Sequence, residues 1–203
     1  MKSSRSLKGL LIFHGAGSDR DHSSLVQLER TLAPLPVRRA TFPYRLAGKR
    51  PPDRAPVLLE AVRREAADFA MQRGGTTRTL MLGGRSMGGR MCSMAVAGGD
   101  EIGRALPAAG LVLISYPLHP PGKPDKLRVE HLARIRVPCL FIHGTRDAFG
   151  SPDELQQWTA SIPAEVTHVW MQGKGHDLKG CDIDIAAAVH EWLQLHRERS
   201  GHA

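Results

Sequence analysis

The chain has 203 residues, 41% hydrophobic and 24% charged, with a formal net charge of +8. That length and balance suit one globular domain with a substantial core and exclude a disordered or fibrous chain. No apolar run is long enough to span a membrane, and the scattered arginines lack the aromatic interleaving of a nucleic-acid-binding face, so neither is an expected partner.

In chain order, strand-like and helix-like patterns alternate. Residues 1–13 have a basic start and a short apolar stretch, but they run into His14-Gly15 rather than a small-residue cleavage site, so they read as a first strand over 7–13 rather than a signal peptide. Residues 21–32 form a helix with Leu25, Leu28 and Leu32 on one face, and 37–42 a second strand. Residues 56–71 form a helix with Leu58, Val62, Ala66 and Phe69 at helical spacing, ended by Gly74-Gly75. A strand over 79–82 leads to a helix-compatible stretch over 90–97. Strand 110–115 runs into a proline-rich loop, and 129–134 forms a short helix. Strands over 137–143 and 166–171 enclose a helix over 152–161. Asp182 caps a last helix whose face carries Ile185, Val189, Trp192 and Leu193. The alternation predicts an α/β fold, a mostly parallel sheet of about six strands with helices on both faces.

The most informative residue is Ser86, in Gly84-Arg85-Ser86-Met87-Gly88. A G-x-S-x-G pattern between a strand and a helix is the signature of a sharp, strained turn that presents a serine hydroxyl. Gly84 and Gly88 leave room where the turn has none for side chains, and Gly89 lets the helix pack closely. Asp147 follows strand 137–143 and His176 follows strand 166–171, so an acid and a histidine also lie just past the C-terminal ends of strands. Open α/β sheets place their chemistry at that edge. Serine needs a base to become nucleophilic, and the imidazole needs a carboxylate to hold its tautomer. Upstream, His14-Gly15-Ala16-Gly17 follows the first strand. The amides of Ala16 and Met87 are the candidate oxyanion donors, and His14 is read as a loop anchor.

Five stretches carry a family resemblance: 13–17, 83–90, 115–122, 141–147 and 175–177. The chain resembles small α/β-hydrolases of the dienelactone-hydrolase-like superfamily, and more narrowly the KANL-type predicted hydrolases related to an animal chromatin-complex subunit. The resemblance implies an α/β-hydrolase fold with a serine nucleophile. Dienelactone hydrolases use cysteine, so Ser86 argues against that particular reaction. The chain begins too late to supply the extra antiparallel strands of the full sheet, and residues 116–127 are a loop rather than a lid domain. A trimmed single-domain hydrolase over 1–203 with an open, shallow site is therefore expected.

Four more residues are candidate substrate contacts: Tyr116 and His119 in the proline-rich loop, Phe149 after the acid loop, and Arg85 beside the nucleophile. Arg85 has an alternative role, pairing with an internal acid to brace the turn. His119 reads more readily as a surface histidine, and Phe149 can equally be a core residue. Asp177 is a weaker rival to Asp147, because adjacent loop residues point apart. His143 reads as a loop anchor. Asp19, Asp21 and His22 suggest a metal less well than a helix N-terminus. Three unevenly spaced cysteines, Cys92, Cys139 and Cys181, argue against a disulfide framework or a zinc site and favour a reducing, cytoplasmic setting. The expected activity is hydrolysis of a small-molecule ester or thioester with a small to medium acyl group, without metal or organic cofactor. The alternatives are a non-catalytic binding or scaffold protein that retains the fold, and a peptidase or amidase on the same residues. The sequence does not determine oligomeric state.

Overall fold

Each central strand is apolar on both faces, because successive side chains point to opposite sides and both sides are covered. In the computed structural model, which describes residues 6–99 and 103–201, these strands form one sheet. The basic residues 1–5 of the predicted N-terminal segment lie outside the described residues.

Among the described residues the strands are β1 (Gly9–Phe13), β2 (Val37–Ala40), β3 (Leu80–Arg85), β4 (Gly110–Ile114), β5 (Cys139–Gly144) and β6 (Val166–Met171). Their order is β2-β1-β3-β4-β5-β6. All neighbouring pairs are parallel, so the sheet is wholly rather than mostly parallel. The helices are α1 (Ser23–Leu32), α2 (Pro43–Leu46), α3 (Ala55–Gln72), α4 (Met87–Ala97), α5 (Pro152–Thr159) and α6 (Asp182–Gly201). Leu10, Ile12, Met81, Val112, Ile114, Leu140 and Ile142 face α1 and α6, where Leu25, Leu28, Ile185, Val189 and Trp192 complete one core. The alternate residues Leu11, Phe13, Leu82, Leu111, Leu113 and Phe141 face α3, α4 and α5, against Val62, Phe69, Met91, Cys92 and Leu155. The apolar faces expected for the helices at 21–32, 56–71 and 182 onward are those that pack on the sheet.

From β1 the chain crosses to β2 on one side and then returns to β3 on the other. The strand order therefore reverses between β1 and β3, and a crevice opens at their C-terminal ends. Phe13 stands opposite Gly84 there, so the loop after β1 and the turn after β3 are adjacent.

Some boundaries differ from the sequence reading. β3 continues through Gly83, Gly84 and Arg85, and α4 starts at Met87, directly after Ser86. Glycines weaken a propensity signal, but here their missing side chains permit the packing. A Cβ on Gly84 would lie 2.6 Å from Gly88 C and from Phe13 O, and one on Gly88 2.6 Å from the carbonyl oxygens of Phe13 and His14. β2 ends at Ala40 because Pro43 opens the unpredicted helix α2, and the Phe42 N–H donates to the His14 ring. The short helix expected at 129–134 is a 3-10 turn, Leu132–Arg134. Asp182 opens α6 as its first residue rather than preceding it. Cys92, Cys139 and Cys181 are all buried free thiols.

The glycine contacts yield a stability prediction. Gly88→Ala must push a Cβ into two backbone carbonyls, which is expected to cost about 2 kcal/mol or more, a fall of about 4–8 °C in Tm for a chain of this size. Gly17→Ala meets nothing within 4 Å, and its Tm is expected to match the parent. Thermal unfolding of the two variants checks both.

Candidate active site

Ser86 has φ 48° and ψ −117°. A non-glycine residue in such a conformation costs on the order of 1–3 kcal/mol, and it persists because the surrounding glycine contacts leave the chain no other path. The Ser86 N–H donates to Ile114 O at 2.8 Å, and its carbonyl accepts from Arg90 N at 3.0 Å as α4 begins. The turn is thus held by β4 on one side and the helix on the other, with Ser86 partly exposed at the tip.

Two further loops converge on it. Asp147, buried after β5, accepts from Phe149 N with Oδ1 at 2.8 Å and receives His176 Nδ1 on Oδ2 at 2.8 Å. His176 Nε2 lies 2.9 Å from Ser86 Oγ. With Nδ1 protonated toward the carboxylate, Nε2 is left to accept from the serine hydroxyl. The acid and histidine loops are joined to each other: Arg146 N donates to Lys174 O at 2.9 Å and Gly173 N to Thr145 Oγ1 at 2.8 Å. Gly144 makes that approach possible, since a Cβ there would lie 2.3 Å from Lys174 O. Asp177 is exposed, and its Oδ1 accepts from Lys179 N rather than from an imidazole.

A sequence model of the Alpha/beta hydrolase domain family matches residues 7–197. The chain belongs to that family. Solved structures share the fold of this hydrolase domain at low identity. An alpha-beta serine hydrolase homologue from Coxiella burnetii is 15% identical, with a TM-score of 0.70 over 93% of this chain and 86% of that one. Est1E from Butyrivibrio proteoclasticus is 14% identical, with a TM-score of 0.67 over 95% and 89%. A dienelactone hydrolase from Anabaena variabilis is 18% identical, with a TM-score of 0.66 over 92% and 86%.

In this hydrolase domain the cleft beside Ser86 has a volume of about 640 Å³, within the range of small-molecule sites. Ala16 and Met87 border it, and neither amide has an acceptor among the described residues. His14 holds the Ala16 loop: Nε2 accepts from Phe42 N at 3.2 Å, so Nδ1 carries the proton and donates to Gly15 O at 2.7 Å. Tyr44 OH adds a bond to Ala16 O at 2.8 Å.

The four candidate substrate contacts separate. Phe149 lines the cleft and stacks on His176, ring centroids 4.0 Å apart. Arg85 borders the cleft but is 94% buried, and it braces the histidine loop through the carbonyls of Asp177 (3.0 Å) and His176 (3.4 Å) rather than through an acid. Burial pulls its pKa down, against the opposing pull of Asp182, Asp177 and Asp147. Tyr116 and His119 do not reach the cleft. Tyr116 is buried, its hydroxyl donating to Arg128 O at 2.9 Å. His119 is buried too, with Nδ1 2.9 Å from Pro120 O and Nε2 3.5 Å from Glu154, so it is not a surface histidine either. Both follow strand β4 directly, and its last turn carries them inward. Asp19 and Asp21 pair with Arg45 and Arg39, while His22 caps α1.

The sequence reading missed several lining residues: Asp53 just before α3, Ala55 and Leu58 in its first turn, Arg90 and Met91 on α4, and Arg128. Arg90 was legible in principle, because a residue four past Ser86 shares its helical face. Asp53 and Arg128 reach the cleft only through chain folding.

Three buried histidines lend the fold an acid sensitivity. Burial depresses the pKa of His14 and His143, and that of His131, with help from Arg90 and Arg134, falls from the ordinary 6.5 to about 3. Below pH 6.5 the unfolded chain therefore binds more protons than the folded one. Their contribution is complete above that pH and is lost as pH falls toward the folded-state values. Urea unfolding from pH 8 to pH 4 is expected to show falling stability, steepest below about 6.5. His131→Gln is expected to be less stable at pH 8 but to lose less on acidification.

Proposed function

We propose that this protein is a serine hydrolase that cleaves an ester or thioester of a small to medium acyl group through an acyl-enzyme. The observation that carries the reading is the chain of short contacts from Ser86 Oγ through His176 to Asp147, 2.9 and 2.8 Å. As Ser86 Oγ attacks the carbonyl carbon, Nε2 of His176 takes the hydroxyl proton. Asp147 holds the imidazole tautomer and offsets its positive charge. The amides of Ala16 and Met87 receive the developing oxyanion. The imidazolium then protonates the leaving alcohol or thiol, and water, activated by the same imidazole, releases the acid and restores Ser86. No step requires a cofactor. The described elements supply every group, which supports one domain acting as a unit; the KANL-type resemblance is part of the same proposal.

Ser86→Ala is expected to lower ester hydrolysis by a factor on the order of 10⁴–10⁶ and to abolish labelling by a fluorophosphonate probe, with little change in Tm. Asp147→Asn is expected to lower kcat by about 10⁴ with a much smaller change in KM. Full hydrolysis by pure Ser86→Ala protein would overturn the mechanism. Probe labelling without ester turnover, combined with anilide cleavage, would favour the amidase reading, and neither activity would favour a binding protein.

The cover over Ser86 is small. From the proline-rich loop only Pro117 reaches the cleft, while 121–126 are exposed. Short acyl esters are therefore expected to turn over faster than long-chain ones, with no rise in rate at a lipid interface. A chain-length series measured below and above micelle formation checks this, and a preference for long chains would show that the loop closes as a lid.

A further inference from the structure

Beyond Ser86, His176 and Asp147, the cleft wall carries two arginines that no carboxylate pairs among the described residues. Arg90 lies on α4 one helical turn from Ser86, and its N–H donates to the Ser86 carbonyl. Arg128 enters the same cleft from the end of the proline-rich connection. Among the described residues neither guanidinium forms an ion pair with a carboxylate. Arg90 Nε is buried and has no hydrogen-bond acceptor. The two arginines also oppose each other: burial first, and then the Arg90 charge, push the Arg128 pKa down. Two like charges held at a cleft, one with an unpaired buried donor, cost free energy that an incoming anion would return.

The fold holds both residues by their backbones. Ser93 Oγ donates to Arg90 O at 2.8 Å, and Tyr116 OH donates to Arg128 O at 2.9 Å. His131 Nε2 joins the two hydroxyls, 2.8 Å from Ser93 Oγ and 3.4 Å from Tyr116 OH. A buried neutral network therefore holds the backbones of both arginines, which line the cleft beside Ser86. The carboxylates that line the cleft are Asp53 and Asp177, and neither pairs with them. Arg85 differs in that the charges of Asp182, Asp177 and Asp147 act on it and one of its nitrogens holds the histidine loop, although its Nη1 is likewise buried without a hydrogen-bond partner.

We propose that the cleft selects esters bearing a carboxylate, which Arg90 and Arg128 bind while Ser86 attacks the ester carbonyl. Guanidinium forks match a planar carboxylate bidentately. This rests on the serine-hydrolase reading, and it names the substrate class for that same site.

The test sets p-nitrophenyl hemiglutarate, with an acidic acyl group, against p-nitrophenyl valerate, and 4-acetoxybenzoate, with the carboxylate on the leaving group, against its methyl ester. At least one acidic ester is expected to exceed its own neutral counterpart about tenfold or more in kcat/KM, and which one does so identifies the side that the arginines read. Arg90→Gln and Arg128→Gln are each expected to bring that ratio down toward one, with Arg128→Lys restoring part of it. Added salt is expected to lower the ratio as well. Binding is read separately in the Ser86→Ala protein, by calorimetry with monomethyl glutarate, and is expected to be lost in the Arg128→Gln double variant. Equal kcat/KM for acidic and neutral esters, with no calorimetric binding, would overturn the carboxylate proposal and leave the hydrolase reading standing. Binding of monomethyl glutarate without turnover of any ester would support the anion site and overturn the hydrolase reading.

Discussion

The structure turns on one close approach, where the backbone of β1 meets the turn between β3 and α4 with no Cβ atoms between them. Gly84, Gly88 and Gly89 lie so near the carbonyls of Phe13 and His14, and one another, that any side chain would force the sheet and helix apart. That contact sets Ser86 at a positive φ and brings the loop carrying Ala16 alongside it. The serine's strained conformation is a consequence of packing around it, maintained by hydrogen bonds to Ile114 and Arg90.

From that point the remaining groups are positioned by loop-to-loop bonds rather than by regular structure. Asp147 and His176 lie after different strands, and the two loops are linked by Arg146–Lys174 and Gly173–Thr145 hydrogen bonds. Arg85, inside the serine turn itself, donates to the carbonyls of the histidine loop. The three segments are therefore coupled, and a shift in one carries the others. His143 lies 3.4 Å from the same Asp147 oxygen that receives His176 and bonds Gly150 O at 2.8 Å, which adds a buried ring behind the acid.

The two sides of the cleft differ in how charge is balanced. Around Arg85, the charges of three carboxylates act against the cost of burying the guanidinium, though burial wins. Arg90 and Arg128 are held by their carbonyls to Ser93 and Tyr116, which the neutral His131 joins, and among the described residues no carboxylate pairs with either guanidinium. Burial and the nearby cations hold His131 neutral, so the network can bond two hydroxyls without adding a third positive charge. A wall built in this way is poorly matched to a neutral ligand and well matched to an anionic one.

Much of this molecule was legible in its sequence because the relevant signals are local. A strand covered on both faces is a contiguous apolar run, a helix packed on a sheet has apolar residues three and four apart, and a G-x-S-x-G turn lies within five residues. The α/β order, the two helical layers and the positions of Ser86, Asp147 and His176 past three strand ends all rest on such patterns. Boundaries blurred where glycines made the packing, as at Gly83–Gly84, because a missing side chain leaves no periodicity to read. What only the tertiary structure decided is which side chains border the cleft. Tyr116 and His119 sit near it in sequence, yet the turn after β4 carries them into the interior. Asp53, Arg90 and Arg128 are brought to it from the segment before α3, from α4 and from a distant loop. The direction of a side chain at a loop depends on what packs behind it, and those partners lie tens of residues away in the chain.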